Sequence, residues 1–324
     1  MGDASIRIGI SACLLGDEVR YDGGHKRDAF LTTVLGPFVE FVKVCPEVEI
    51  GMGTPREPIH LTERSGIIRL VAVESGVDYT ERMDAYAARR ADALARERLS
   101  GYVLKKDSPS CGMARVNVHR GKGPPARNGV GRFARALLAR FPHLPIEEEG
   151  RLNDPRLREN FIERVFAYRR LRDLFDSGWA LGDVVKFHTA HKLVLLSHST
   201  AAYARLGRLV ARAKSMDLDA LRDEYTADFM DALAVPATRA RHVNVLQHIA
   251  GYFRKTLDPA SRGELRTAIE DYRQGFVPRV VPLTLLRHHV RQQDIEYLAG
   301  QVYLSPHPKE LMLVSALYSE SLLR

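Results

Sequence analysis

The stretch richest in chemistry is Lys105-Lys106-Asp107-Ser108-Pro109-Ser110-Cys111-Gly112, which holds one of the chain's three cysteines. Pro109 sets a turn, Gly112 lets the backbone approach closely, and the hydroxyls of Ser108 and Ser110 can hydrogen-bond an anion or a thiolate. Two lysines just upstream are expected to lower the thiol pKa if they lie nearby in space. Taken alone, the stretch fits a reactive or metal-binding thiol and an inert small hydrophobe equally well. The other cysteines have similar settings, in Cys13-Leu14-Leu15-Gly16 and Cys45-Pro46-Glu47.

Each cysteine follows a short strand-like run: 7–12 before Cys13, 38–44 before Cys45, and Gly101-Tyr102-Val103-Leu104 before Cys111. In a parallel sheet the loops at strand carboxyl ends share one edge, so the three thiols are expected to converge. Three thiolates with no fourth cysteine make a poor closed zinc site. They suit an iron–sulfur cluster with one iron left open, a soft Lewis acid able to take a substrate atom. The spacing leaves three readings open: such a cluster, zinc completed by a histidine, or no metal.

The elements that must position these loops follow from periodicity. Helices are expected at 29–35, at 79–99 with Thr80 as N-cap, and at 132–141, with a further strand at 67–72. Gly129-Val130-Gly131 leads into the last of these helices and lacks the full dinucleotide fingerprint. Alternating strands and helices predict an α/β domain with a mostly parallel sheet over residues 1–150. Pro142, Pro145 and the acidic run Glu147-Glu148-Glu149-Gly150 read as a boundary. Residues 151–324 are expected to be an all-α helical domain, with helices at 154–176, 181–213, 217–233, 236–257, 260–274, 282–289 and 293–303. On the second of these, His188, His191 and His198 share a face. With no carboxylate at matching spacing, they suit helix packing or RNA contact better than a metal. Trp179 and the tyrosines of this half are expected in its core.

The 324-residue chain is 45% hydrophobic and 27% charged, ordinary values for a soluble globular protein. No apolar run approaches ~20 residues and the amino terminus lacks a signal-peptide core, so a cytoplasmic protein without a membrane span is expected. Three widely spaced cysteines do not make a disulfide framework. The net charge is +8, and residues 151–324 hold 26 basic and 20 acidic residues against 22 and 20 in residues 1–150. The stretch 105–140 carries nine basic residues and one acid. That strip suits a polyanion such as RNA, although a solvated basic surface is the plainer alternative.

Several motifs match known families. Ser11-Ala12-Cys13-Leu14-Leu15-Gly16, Val19-Arg20-Tyr21-Asp22-Gly23-Gly24-His25-Lys26, Cys45-Pro46-Glu47, Thr54-Pro55-Arg56 and Ser108-Pro109-Ser110-Cys111-Gly112 resemble the thiouracil desulfidases (TudS). Phe187-His188-Thr189-Ala190-His191-Lys192, Asn244-Val245-Leu246-Gln247-His248-Ile249-Ala250-Gly251-Tyr252-Phe253 and Val281-Pro282-Leu283-Thr284-Leu285-Leu286-Arg287-His288 resemble the YbgA-like domain. The combination is similar to the tRNA 4-thiouridine desulfidases called RudS. The resemblance implies a 4Fe–4S cluster held by Cys13, Cys45 and Cys111 alone, with Glu47 and Ser108 as catalytic side chains. Asp22, Lys26 and Arg56 lie in the neighbouring loops, where they either contact substrate or serve turn chemistry and ion pairing. The expected function is non-redox removal of sulfur from 4-thiouridine in tRNA, with the helical domain helping to hold RNA. Desulfidation of free thiouracil and a non-catalytic iron–sulfur RNA-binding protein are the alternatives. Nothing in the sequence fixes the oligomeric state.

Overall fold

Short runs of β-branched and aromatic residues form the strands of the amino-terminal half, and long stretches with helical periodicity fill the rest. The computed structural model describes residues 6–121 and 123–311. The chain divides into two compact units, one ending at Asp154 and the other starting at Pro155.

The first unit runs through β1 (Ile6–Ser11), β2 (Val39–Val44), the single turn α1 (Pro46–Glu49), β3 (Ile59–Arg64), β4 (Ile67–Ala72), α2 (Thr80–Arg96) and β5 (Gly101–Leu104). It continues through β6 (Val116–His119), β7 (Ala126–Gly129), α3 (Arg132–Arg140) and β8 (Ile146–Glu148). One sheet has the order β2-β1-β5-β8 with every neighbour parallel. Parallel strands are covered on both faces, and Ile8, Ile10, Tyr102, Val103 and Leu104 are fully buried. The α/β reading with a parallel sheet therefore holds.

The second sheet, β4-β3-β6-β7, mixes antiparallel and parallel pairs, and only β4 was expected. The strands beside β4 carry little apolar signal: in β7 only Gly129 is buried. The acidic run 147–149 is no exposed boundary. Glu147 and Glu148 lie in the edge strand β8, and all three glutamates are buried. Thr80 is not the cap of α2 but its first residue. Asp78 accepts its N–H (2.9 Å), and its hydroxyl accepts the Leu70 N–H (2.8 Å).

The second unit is largely helical: α4 (Pro155–Asp176), α5 (Leu181–His198), α6 (Thr200–Arg212), α7 (Leu218–Ala234), α8 (Arg239–Gly251), α9 (Pro259–Gln274), α10 (Val280–Gln292) and α11 (Glu296–Ala299). Leu193, Leu206, Tyr225, Phe229, Leu246, Leu283 and Leu286 form its fully buried centre. The helix expected over 181–213 is broken at Ser199, which adopts extended backbone and caps the next helix by accepting the Ala202 N–H (3.2 Å). Among the described residues no helix is long and apolar enough to cross a membrane.

Candidate active site

The carboxyl ends of β1, β2 and β5 open onto a cavity of about 400 Å³. Cys13 lies in the turn after β1, Cys45 joins β2 to α1, and Cys111 sits in the loop after β5. All three line this cavity, together with Glu47, Ser108, Lys26 and Arg56. Asp22 does not line it. That carboxylate accepts the Gly24 N–H (3.1 Å) and pairs with Arg20 (3.4 Å), a turn-forming role.

The thiols are free, Cys13 and Cys111 buried and Cys45 half-buried. Burial pushes Cys13 up to about 11, the neighbouring Cys45 adds to this, and Lys105 and Arg20 offset only part. Burial likewise raises Cys45 and Cys111. The lowering expected of the lysines at Cys111 therefore fails: burial dominates there, Glu47, Cys13 and Cys45 add to it, and Lys105 acts on Cys13 instead.

The Cys111 loop is held from three sides. Ser108 Oγ accepts the N–H groups of Ser110 (3.2 Å) and Cys111 (3.0 Å), which leaves its own hydrogen free to donate. The amino end of α3 donates back to the loop, Arg132 N–H to Pro109 O and Ala134 N–H to Ser110 O, each at 3.1 Å. A Cβ at Gly131 would lie 2.4 Å from the Ser110 carbonyl oxygen, so that glycine permits close backbone approach rather than cofactor binding. From β8, Glu148 accepts the Met113 N–H (2.7 Å). Glu149 accepts the Lys106 N–H (2.7 Å) and pairs with Lys105 (2.5 Å). Ser11, at the end of β1, accepts the Lys105 N–H (3.0 Å), and its hydrogen bond to the Cys111 thiol works against burial. Ser11, Glu148 and Glu149 escaped sequence reasoning because their partners lie far along the chain.

Pro46 starts α1 and places Glu47 in its first turn. Arg56 donates to Glu47 Oε2 from Nε (3.2 Å) and again from Nη2. The two side chains are 4% and 16% exposed, so this is a sheltered, two-pronged pair. Arg56 also donates to Gly53 O (2.9 Å). Glu49 steadies the same turn by accepting the Cys45 N–H (3.1 Å) and the Tyr86 hydroxyl (2.7 Å).

Other candidates serve elsewhere. His188 meets the Tyr225 hydroxyl (3.2 Å), His191 the Phe187 carbonyl (2.8 Å), and His198 the Val235 carbonyl (2.6 Å). Within the basic strip, Lys105, Arg120, Arg127, Arg132 and Arg140 pair with Glu149, Glu63, Asp107, Asp84 and Asp92. Much of that charge is therefore neutralised, by the strip's own Asp107 and by acids brought in from outside it. Among the described residues no three His, Cys, Asp or Glu side chains are grouped as one metal ion requires. The thiols instead surround a cavity, an arrangement whose all-sulfur donors fit a larger iron–sulfur group.

Residues 8–149 match the family model described as 2-thiouracil desulfurase, and residues 192–308 match a protein of unknown function, DUF1722. "Uncharacterized protein YbgA" of Escherichia coli (strain K12) is 32% identical over 163 residues, covering 50% of this chain and 96% of YbgA. "Uncharacterized protein YbbK" of Bacillus subtilis (strain 168) is 33% identical over 108 residues, covering 32% of this chain and 71% of YbbK. The chain is a TudS-like domain of the 2-thiouracil desulfurase type fused to a YbgA-like domain. A solved structure, the [4Fe-4S]-dependent thiouracil desulfidase TudS, is 34% identical with a TM-score of 0.38, covering 46% of this chain and 93% of its own. The span matched to the desulfurase family contains all three thiols, Glu47, Ser108 and the glutamates of β8.

Proposed function

We propose that this protein is a non-redox desulfidase that removes sulfur from 4-thiouridine in tRNA, with Cys13, Cys45 and Cys111 holding a 4Fe–4S cluster. What carries the reading is the convergence of three strand-end thiols on one cavity that also presents Glu47 and Ser108. The match to a family described as 2-thiouracil desulfurase adds the reaction class. When bound, such a cluster supplies a soft Lewis acid matched to a thiocarbonyl sulfur.

The chain's own groups do the rest. Arg56 occupies Glu47 Oε2, so Oε1 is the atom that takes the proton of the attacking water. The water oxygen bonds to the ring carbon and Glu47 passes the first proton to the sulfur. Glu47 then takes the remaining O–H proton as the carbonyl forms and the carbon–sulfur bond breaks, and delivers it to the departing hydrosulfide. The balance is thiocarbonyl plus water to carbonyl plus hydrogen sulfide, with no change of oxidation state. Ser108, already an acceptor of two N–H groups, donates its hydrogen to the bound base. Lys26, on the cavity wall, offers a cation to a nucleotide phosphate.

The test is anaerobic. After cluster reconstitution, tRNA containing 4-thiouridine is added, and thiocarbonyl absorbance is followed together with released sulfide. Matching loss and release, absent in Cys111→Ala, is the expected result. The family description favours free thiouracil as a second reading. Turnover of the free base with tRNA left thiolated would establish it. Turnover of neither would sink the desulfidase reading and leave an iron–sulfur RNA-binding protein.

A further inference from the structure

Among the described residues that line the cavity at the strand ends, one carries an aromatic ring, Tyr21. The ring stands on a tight turn. Gly23 N–H donates to Arg20 O (3.0 Å), Arg20 N–H to Gly24 O (3.2 Å), and the Asp22 carboxylate accepts the Gly24 N–H (3.1 Å). Just past the turn, Lys26 N–H donates to Cys13 O (2.9 Å). At the tip, Tyr21 O accepts the Arg56 N–H (2.9 Å), and the Arg56 side chain holds Glu47. The backbone under the ring is therefore fixed to a thiol-bearing residue and, through Arg56, to the Glu47 carboxylate. The ring itself is 43% exposed, with the Arg20 guanidinium 5.4 Å from its centre. An open ring on a rigid turn adds little to the core, and Arg20 over one face leaves a single face for a planar ligand.

We infer that Tyr21 is the platform on which the substrate's pyrimidine ring stacks, and that it sets binding rather than bond cleavage. This role rests on the desulfidase reading of the cavity and adds the group that grips the face of the ring. A cavity of about 400 Å³ is at the small end of ligand sites. A nucleotide must therefore leave its own stack to enter, at the cost of the stacking it gives up. An aromatic side chain restores one stacked face, and a thiopyrimidine presents that face whether it is free or part of a strand. Glu47 and Ser108 serve the edge of the ring, where the carbon–sulfur bond lies. Stacking does not distinguish sulfur from oxygen at the reacting carbon, so the contact is equal for substrate, transition state and product. Such uniform binding lowers KM and leaves kcat unchanged.

The experiment uses the full chain with its cluster reconstituted. Free 4-thiouracil and tRNA containing 4-thiouridine are the substrates, and uridine 5′-monophosphate is the product-side ligand. On whichever substrate the wild type turns over, Tyr21→Ala should raise KM roughly tenfold or more and keep kcat within about twofold. Tyr21→Phe, which keeps the ring, should stay within about twofold of wild type in both. The Kd of uridine 5′-monophosphate, followed by saturation transfer to the uracil ring protons, should rise in Tyr21→Ala by a similar factor. The variant is expected to melt like wild type by circular dichroism, since the ring is exposed and the Tyr21 carbonyl remains. Should Tyr21→Ala melt lower, Tyr21→Leu, which keeps bulk without a ring, takes its place. An unmoved KM and Kd, or a fall in kcat at constant KM, would overturn the platform and leave the desulfidase reading standing. Absence of turnover by the wild type is a failure of that reading, and the Kd comparison then decides the platform alone.

Discussion

Glu47 lines the cavity and commits Oε2 to Arg56. Removing its basicity without its shape should therefore separate chemistry from assembly. Glu47→Gln is expected to lower kcat by ~10²–10⁴-fold while iron content and cluster absorbance stay at wild-type levels. Loss of the cluster in that variant would show that Glu47 builds the site rather than acting in it. The two serines flanking Pro109 give a sharper contrast. Ser108 Oγ accepts two backbone N–H groups, whereas Ser110 Oγ is buried and has no partner among the described residues. Ser108→Ala should destabilise the fold by about 1–3 kcal/mol, because it strands those donors. Ser110→Ala should be neutral or slightly stabilising. Thermal melts of the pair check this, and equal shifts would contradict the hydrogen-bond assignment.

The Cys111 loop is set between α3 and β8, and its tightest point is the approach of Gly131 to the Ser110 carbonyl. Gly131→Ala puts a methyl 2.4 Å from that backbone oxygen, and no flexible side chain can yield there. A lower melting temperature together with reduced iron loading is expected, since the loop carries both Ser108 and Cys111. A normal melt with full iron content would mean that the loop adapts. The same region marks how far the sequence could be read. Strands β1 and β5 were legible as short apolar runs and β2 by its alternation, and a cysteine in the loop after each located the cavity. Strand β8 was not, because Glu147, Glu148 and Glu149 look like solvent-facing charge until Arg151, Met113 and Lys105 supply their partners. The partners of β4 in the second sheet were missed for a related reason: β3 is mostly half-exposed, and β6 and β7 are only four residues long. Ser199 shows the opposite failure: helical periodicity ran straight through a residue whose hydroxyl caps a new helix.

At the scale of the whole molecule, the helical unit keeps several imidazoles neutral. Burial lowers His191 to about 3 and also depresses His188, His242 and His307. The unfolded chain takes up these protons near pH ~6.5 while the folded unit does not. Their contribution is therefore complete above ~6.5 and is lost as pH falls, by up to ~1.4 kcal/mol per pH unit for each histidine. Glu163 acts in the same direction at lower pH. Burial alone would raise it, but the hydrogen bond and charge of His198, with Arg279, hold it well below the usual carboxylate range. Stability from Glu163 is thus present above ~4.3 and lost on further acidification. Trp179, the only tryptophan, packs 5.0 Å from Phe175 and reports on this unit alone. Its fluorescence should give a lower urea midpoint at about pH 5.5 than at about pH 7.5. An unchanged midpoint would contradict the burial of those histidines.

The glutamates in and just after β8 also impose a schedule on synthesis. At about 5–20 residues per second, Glu149 follows Cys111 out of the ribosome's catalytic centre by roughly 2–8 s, and follows Cys13 by roughly 7–27 s. Until then sheet neighbours β1, β2 and β5 lack their fourth strand, and the Cys111 loop lacks the carboxylates that hold Lys105, Lys106 and Met113. The nascent chain therefore carries three separate, oxidisable cysteines before it carries a site. Only the emergence of this short acidic stretch completes the contacts that hold the Cys111 loop in place.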